Sequence, residues 1–504
     1  MSKTKIIIPL ILLLPLILSG LVSCDNSAGQ NNQGDTVGAT PNGDVSSVSA
    51  PETPKSRAEL RSEVSDGLVP EDFGGYEFKI FTPEEEPHMS YSGSKMFWAE
   101  EMNGDIVNDA MYKRNNTVED RFNVIITGVE RGNMHELTPL LQRSVAAGEY
   151  PYDVYVPHAI NGPEAMSVGG YLYNWMEIPN IDFSKPWWNH DIIDSLTYNN
   201  RLFFGVSDLN FGNMGNTYAL FFNKAFIQDF SLENPYELVE SGKWTLDKLN
   251  EITKGIYTDL NGNGIADDDD RYGFSSQNFG CLVGFMYASG ITSVVRSDED
   301  RPVFQLATQK ISDYVDKMID LYYRDNRTLL YDNYEINIFN PMMEGRVFMQ
   351  CDKIGEIIKL RGSDIDFGIV PYPKFDGNQQ NYYTYPDAWG GLLCVPVNTP
   401  DIERTGKILE ALSAESWKIL TPAYYDVALG IKYLRDEESI GMLDIIYGGV
   451  RYDFGYVYNR GHEVFMTVTN IINSKNNTVA SRGERIERTI QTYLDRIYES
   501  IYAN

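Results

Sequence analysis

The chain has 504 residues, which is enough for two to four domains or for one two-lobed unit. It carries 71 Asp and Glu against 42 Lys and Arg, and the resulting formal charge of −29 argues against binding to phosphate backbones of nucleic acids. The same charge disfavours attraction of the folded body to anionic lipid.

The first 24 residues have the pattern of an export signal. Lys3 and Lys5 precede an apolar run at 6–18, which is shorter than the roughly 20 residues needed to span a bilayer. The run leads into Leu-Val-Ser-Cys, and this ending at Cys24 resembles the lipobox of bacterial lipoproteins, whose cysteine is acylated. We therefore expect a lipid anchor at Cys24, on the extracytoplasmic face of the cell membrane, as the protein's only membrane contact.

Residues 25–72 contain no aromatic residue and are rich in Gly, Asn, Ser, Thr and Pro. Such a composition cannot bury enough apolar surface to offset the entropy of ordering the chain. The segment is therefore predicted to be a disordered tether between the anchor and a folded body at 73–504.

Strand and helix patterns alternate after residue 73. Residues 76–81 alternate polar and apolar, a helix is predicted at 105–121 with Asp105 as its N-cap, and strands are predicted at 123–126 and 152–156 around a helix at 136–147. Later helices are predicted at 245–257, 308–324, 402–414, 438–447 and 483–500, and later strands at 201–206, 218–222, 346–350, 366–370 and 391–397. This alternation predicts the α/β fold class.

Residues 259–270 match the spacing of a calcium-binding loop. Oxygen side chains occupy loop positions 1, 3, 5, 9 and 12, and Gly264 occupies position 6, where a tight turn is required. Position 12 is Asp rather than Glu, as in dockerin-type loops. The pattern predicts one structural Ca²⁺, held by Asp259, Asn261, Asn263, the carbonyl of Ile265, Asp267 and Asp270. An acidic turn without a metal is the alternative.

Catalytic and redox motifs are missing from the sequence. There is no G-x-S-x-G, Walker A or G-x-G-x-x-G motif, and the five His residues show no H-x-x-x-H spacing. No C-x-x-C occurs, and the pattern leaves open whether any two of Cys281, Cys351 and Cys394 pair. We expect a protein that is not an enzyme.

Six segments, in order, resemble motifs of the family 1 extracellular solute-binding proteins, the lipid-anchored receptors of ABC importers. They are 152–154 (YDV), 218–224 (YALFFNK), 244–249 (WTLDKL), 343–349 (MEGRVFM), 367–374 (FGIVPYPK) and 405–412 (TGKILEAL). Val347 and Phe348 depart from the family pattern, which has smaller residues there. The resemblance covers most of 73–504.

The resemblance implies a type II periplasmic-binding fold, in which two α/β lobes enclose a central cleft. By analogy, lobe one comprises 73–210 and 348–388, and lobe two comprises 211–347 and 389–504. The implied partners are a small solute and the transmembrane subunits of an ABC permease. A monomer that does not bind nucleic acid is expected.

Aromatic residues in segments that the resemblance places near the cleft suggest a saccharide as the solute, because sugars lay their C–H faces on indole and phenol rings. Trp389, with Asp387 as an acceptor for hydroxyl groups, is the principal candidate. The other candidate ligand contacts are Trp98, Tyr155, Trp187, Trp188, Asp208, Asn213 and Asn216.

The sequence therefore predicts a receptor that captures a mono- or oligosaccharide and delivers it to a permease. Two alternatives remain at this point. One is a lipid-anchored enzyme that degrades glycans with a pair of carboxylates, and the other is the same fold binding a peptide.

Overall fold

The computed structural model describes residues 57–502, with gaps at 87–91, 332–337, 426, 428–433, 435, 459 and 460. The predicted signal peptide, Cys24 and the tether up to residue 56 lie outside the described residues. None of the helices within the described ranges combines the length and the hydrophobicity needed to cross a bilayer.

Ten strands are assigned in the described part of the chain. They are β1 (Tyr76–Thr82), β2 (Val124–Glu130), β3 (Val154–Tyr155), β4 (Tyr218–Asn223), β5 (Tyr272–Gln277), β6 (Val294–Arg296), β7 (Pro302–Phe304), β8 (Thr328–Tyr331), β9 (Val347–Lys353) and β10 (Phe367–Val370).

Helices separate and cover these strands. They are α1 (Arg57–Ser62), α2 (Ile106–Phe122), α3 (Leu137–Ala147), α4 (Pro163–Val168), α5 (His190–Leu196), α6 (Phe211–Gly215), α7 (Ala225–Asp229), α8 (Pro235–Glu240), α9 (Leu246–Thr253), α10 (Gly280–Ala288), α11 (Gln309–Tyr323), α12 (Asn340–Met343), α13 (Ile402–Glu415), α14 (Glu437–Gly448), α15 (Phe454–Val457), α16 (Gly461–Asn473) and α17 (Val479–Ile501).

The bounds of α2 follow directly from the sequence. The carboxylate of Asp105 accepts hydrogen bonds from the backbone N–H groups of Val107 (3.0 Å) and Asn108 (3.1 Å), which confirms Asp105 as the N-cap. The helix ends where Asn123 takes the left-handed conformation at φ 47°, a conformation that Asn tolerates better than most residues.

The first sheet is parallel and has the order β2-β1-β3. Tyr76 lies opposite Val124, so the two strands predicted first along the chain are neighbours. Two further segments extend the sheet beyond β3 through antiparallel bridges, in which Tyr155 pairs with Cys394 and Leu393 pairs with Gly205.

The second sheet is mixed and has the order β10-β4-β9-β5-β8. β4 runs antiparallel to both β10 and β9, whereas β5 is parallel to β9 and β8. Every residue of β4, β5 and β9 is buried, as expected of strands covered on both faces. β6 and β7 form a separate antiparallel pair.

The sheets divide the chain differently from the predicted lobes. β10 and all of β9 except Val347 lie within 348–388, which was assigned to lobe one, yet both strands bond to β4 in the second sheet. The stretch around Leu393, assigned to lobe two, pairs with the first sheet. The predicted division therefore assigned the β9–β10 segment and the Leu393 segment to the wrong lobes. A strand pattern in the sequence identifies a strand but does not show which strand lies beside it.

The folded body also begins earlier than predicted. Asp66, within the predicted tether, is only 8% exposed, and its carboxylate pairs with Arg121 of α2 at 2.5 Å. Further along, Glu71 pairs with Lys407 of α13. Residues 57–72 are therefore part of the body rather than of the tether, since polar residues there find charged partners on it.

The cysteine pairing left open by the sequence is resolved. Cys281, Cys351 and Cys394 are all buried and present as free thiols.

Candidate functional site

Two chain segments cross between the sheets side by side. The first, 384–394, starts at the second sheet, where the Thr384 hydroxyl donates to the Tyr218 carbonyl at 2.6 Å. It reaches the first sheet where the Ala159 N–H donates to the Ala388 carbonyl at 2.8 Å. Residues 385–391 therefore run between the sheets, where the resemblance placed a lobe crossing.

The second crossing segment, 205–218, runs beside the first and contains the short helix α6. The Asp387 N–H donates to the Asn216 carbonyl at 2.8 Å, and Thr217 bridges to Pro386. The two segments pack closely at Gly390, where a Cβ atom would lie 1.8 Å from Oδ1 of Asn213. Only glycine fits at this contact.

Trp389 lies in the first crossing segment and is half-buried. Its indole ring meets the His158 ring edge-on, with centroids 4.9 Å apart and planes at 88°. The backbone N–H of Trp389 donates to the Asp387 carboxylate at 3.2 Å, which caps the 3-10 turn Ala388–Gly390. The ring is thus held in one orientation between the sheets while part of its surface stays accessible.

Asp387 has structural partners on both oxygens. Oδ1 caps the Trp389 turn, and Oδ2 accepts the Tyr218 hydroxyl at 3.2 Å. Burial lowers the pKa of nearby Lys353, but the surrounding negative groups, led by Asp387, Asp352 and Glu356, raise that pKa above its ordinary value. Asp387 therefore orients Trp389 and balances a buried ammonium, in addition to the sugar-acceptor role predicted for it.

Trp98 lies against Gly128 of β2, on the first-sheet side, and is half-buried. Its backbone N–H donates to the Ser94 carbonyl at 3.0 Å, directly after the 3-10 turn Ser94–Met96. Met96 of that turn lies against Gly212 of α6. Trp98 is therefore two residues from a contact with the second crossing segment.

Trp187 and Trp188 are both buried, Trp187 in the core and Trp188 at the wall of a cavity beside α6. They are 0% and 2% exposed, and their indole N–H groups donate to the two carboxylate oxygens of Glu410 at 3.1 and 3.0 Å. Burial raises the pKa of Glu410 to about 7. Two adjacent indoles can both be buried because one carboxyl group on α13 satisfies both of them.

Tyr155, another predicted ligand contact, lies in the core. It is 1% exposed, because β3 lies inside the first sheet, and its ring packs edge-on against Phe81 (5.4 Å) and Tyr152 (5.6 Å). Asn216 is likewise 1% exposed. Neither side chain presents an open surface to a ligand in this arrangement.

Asp208 lies at the start of the second crossing segment and is 6% exposed. One carboxylate oxygen accepts the Thr421 hydroxyl and the other accepts the Tyr447 hydroxyl, both at 2.6 Å. Burial raises the pKa of Asp208 to about 6, although both hydroxyl donors oppose the shift.

A cavity of about 270 Å³ lies beside Asp208 and α6. Its lining includes Trp188, Asn189, Asp208, Asn213, Tyr425 and Tyr447. Three of these residues, Trp188, Asp208 and Asn213, were predicted ligand contacts. The fold brings them to one cavity.

The loop 259–270 is organised around its acidic side chains. The Asp259 carboxylate accepts the N–H groups of Gly262 (2.6 Å) and Gly264 (2.8 Å), so the first position of the loop folds back over the turn. Both glycines have positive φ, 71° and 74°, which non-glycine residues rarely adopt. Ile265 follows at the exposed tip.

The rest of this loop is closed by hydrogen bonds. Asp267 accepts the side-chain amides of Asn261 (3.2 Å) and Asn263 (2.6 Å), and the fully buried Asp270 accepts the Tyr257 hydroxyl (3.0 Å). Within the described ranges, no three acidic, His or Cys side chains converge as a metal-ligand group. The oxygen-rich donor types suit Ca²⁺, but calcium binding stays a prediction.

Comparison with solved structures gives the fold. The galacto-N-biose/lacto-N-biose I-binding protein of a Bifidobacterium longum ABC transporter is 14% identical, with a TM-score of 0.56 over 84% of this chain and 98% of its own. The fold is that of an ABC substrate-binding protein.

Two further substrate-binding proteins agree. UgpB from Mycobacterium tuberculosis, in complex with glycerophosphocholine, is 15% identical with a TM-score of 0.51, over 84% of this chain and 99% of its own. An ABC substrate-binding protein from Listeria monocytogenes, in complex with cycloalternan, is 12% identical with a TM-score of 0.50, over the same shares. No family model matches the chain, and no curated protein matches it by sequence.

This substrate-binding-protein fold confirms the predicted two-lobed α/β class. Sequence reasoning missed His158, Lys353, Tyr425, Tyr447 and Glu410, which surround the predicted residues. His158 lies three residues after the end of β3, so its position beyond a strand end was a signal that could have found it. The other four lie far along the chain, and only tertiary contacts bring them to the site.

Proposed function

We propose that this protein is the extracytoplasmic substrate-binding component of an ABC importer, which captures a mono- or oligosaccharide between its sheets and delivers it to the permease. The observation that carries the proposal is Trp389, a half-buried indole fixed edge-on to His158 where the chain crosses between the sheets. The fold, shared with binding proteins for lacto-N-biose and cycloalternan, supports it.

The chemistry of the crossing region suits a sugar. An accessible indole face offers the apolar surface on which a pyranose ring stacks, while the neighbouring Asp387 carboxylate can accept hydrogen bonds from hydroxyl groups. A ligand held by side chains from both sheets binds the closed arrangement more tightly than the open one. Closure would then be driven by this difference in affinity.

The proposal is tested by titration calorimetry of the purified protein against a panel of saccharides and short peptides. We expect a saccharide to bind, and Trp389→Ala to weaken it at least tenfold, because a central aromatic anchor typically contributes about 2 kcal/mol or more. Trp417→Ala, which removes another half-buried indole, is the matched control and should leave affinity unchanged. Binding of peptides alone would refute the substrate class.

The same samples test the enzymatic alternative. Each saccharide that binds is incubated with the protein and analysed by chromatography. Recovery of the intact saccharide is expected of a binding protein, and turnover products would refute the proposal.

We further propose that acylation of Cys24 anchors the protein to the outer face of the cell membrane. The short apolar run, the Leu-Val-Ser-Cys ending and the aromatic-free residues that follow support this. The anchor would keep the receptor close to its permease.

We also propose that the loop 259–270 holds one structural Ca²⁺. Asp259, Asn261, Asn263, Asp267 and Asp270 would supply side-chain oxygens, and Ile265 would supply its carbonyl oxygen. Bound calcium would relieve the repulsion among the loop's carboxylates and so stabilise the folded state.

A further inference from the structure

We propose that the cavity beside α6 binds a single uncharged sugar ring, with Asp208 and Tyr447 as its polar contacts and Trp188 and Tyr425 as its aromatic walls. This inference rests on the proposed function and specifies where one unit of the saccharide is held. The cavity is distinct from the Trp389 surface, because neither Trp389 nor His158 contributes to its lining.

The aromatic walls are rigid. Trp188 cannot rotate freely, because its N–H is bound to Glu410 and its ring packs edge-on against Trp175 (5.8 Å) and Phe183 (5.1 Å). Tyr425 packs edge-on against Tyr447 at 5.3 Å. Pre-positioned aromatic surfaces lose little entropy when a ring binds against them.

The polar contacts keep free capacity for hydroxyl groups. Each oxygen of Asp208 accepts one hydrogen bond, whereas an ionised carboxylate offers about four acceptor positions in all. The Tyr447 hydroxyl donates its hydrogen bond to Asp208, so its oxygen can still accept a hydrogen bond from a ligand. Acceptors for adjacent hydroxyl groups are what a sugar ring requires.

Size and charge select the ligand. A volume of about 270 Å³ lies below the roughly 300–1,000 Å³ of pockets for drug-sized ligands, which favours one ring over an oligosaccharide. The lining includes the carboxylates of Asp191 and Asp208 and the imidazole of His190, and no lysine or arginine is among its described residues. Arg451 pairs with Asp191 from outside the lining at 3.5 Å. A uronate or sugar phosphate would bring a negative charge toward these carboxylates, so neutral sugars are favoured.

The cavity also joins parts of both sheets. Asp208 leaves the first sheet in the 205–218 segment, and Tyr447 belongs to α14, which packs against β10 of the second sheet. A ring bound between these residues would contact both sides and favour their approach.

Titration calorimetry with neutral monosaccharides, neutral oligosaccharides and glucuronate tests the inference. Val450→Phe fills the cavity, and Tyr447→Phe removes the hydroxyl while keeping the ring. We expect each change to weaken the bound neutral sugar at least tenfold, and glucuronate to bind at least tenfold more weakly than glucose. Tyr452→Phe removes a buried hydroxyl outside the cavity and should leave affinity within twofold.

The outcomes separate the two proposals. If a neutral sugar binds and Trp389→Ala weakens it, while Val450→Phe and Tyr447→Phe leave it within twofold, the cavity assignment is overturned and the proposed function stands. Equal affinity for glucuronate would overturn the charge argument. If no saccharide binds the wild-type protein, both proposals fail. Thermal unfolding of each variant shows that it is folded, and Tyr447→Phe decides the matter if Val450→Phe unfolds.

Discussion

Gly390→Ala should destabilise the protein because of one close contact between the crossing segments. A Cβ atom at residue 390 would lie 1.8 Å from Oδ1 and 3.0 Å from Cα of Asn213. Since non-bonded heavy atoms prefer about 3.5–4.0 Å, the amide must move by roughly 2 Å, and the backbone contact limits how it can do so. Overpacking of this kind typically costs about 1–3 kcal/mol in free energy of unfolding.

Gly441→Ala is the matched control with the opposite expected sign. Gly441 lies in α14 and is exposed, and a Cβ atom there would have no neighbour within 4 Å, so alanine should stabilise the helix by about 0.5–1 kcal/mol. Urea denaturation followed by tryptophan fluorescence measures both variants. Unfolding of Gly390→Ala at the same urea concentration as the wild type, or at a higher one, would refute the expected overpacking.

The same substitution bears on binding. Gly390 adjoins Trp389, and the displaced Asn213 lines the cavity beside α6. We therefore expect Gly390→Ala to weaken saccharide binding, measured by calorimetry under conditions where the variant is folded. If Gly390→Ala binds saccharide with wild-type affinity despite its lower stability, the positions of Trp389 and Asn213 do not matter to the ligand.

Three further outcomes are expected. Burial raises the pKa of Glu410 from its usual 4.5 to about 7. The contribution of Glu410 to the free energy of unfolding is therefore complete below pH 4.5 and falls by about 3 kcal/mol as the pH rises to 7. Glu410→Gln should flatten that pH dependence of stability. EDTA should lower the melting temperature, Ca²⁺ should restore it, and Asp259→Ala should abolish the response; an indifferent melting curve would contradict the calcium proposal. Cys24→Ser should release the protein from membranes or leave its precursor unprocessed, and normal maturation with unchanged retention would disprove the anchor.

Local patterns in the sequence determined the fold class and many element bounds. The alternation at 76–81 corresponds to β1, and Asp105 caps α2, because a strand's two faces and a helix's first turn are set by neighbouring residues. The sequence pattern did not predict α10, because all nine residues of this helix are buried and therefore show no amphipathic period. The motifs in 152–412 were enough to indicate the substrate-binding-protein fold.

Tertiary structure alone decided which segments meet. Hydrogen-bonding groups of a strand are the same whichever strand lies beside it, so the sequence could not show that β9 belongs with β4 while Leu393 belongs with the first sheet. The sequence also could not show that Trp187 and Trp188 would both be buried. Their indole N–H groups needed an acceptor, and that acceptor, Glu410, lies more than 200 residues away in the chain. The candidate sugar contacts were therefore sorted into core and cavity residues only by long-range packing.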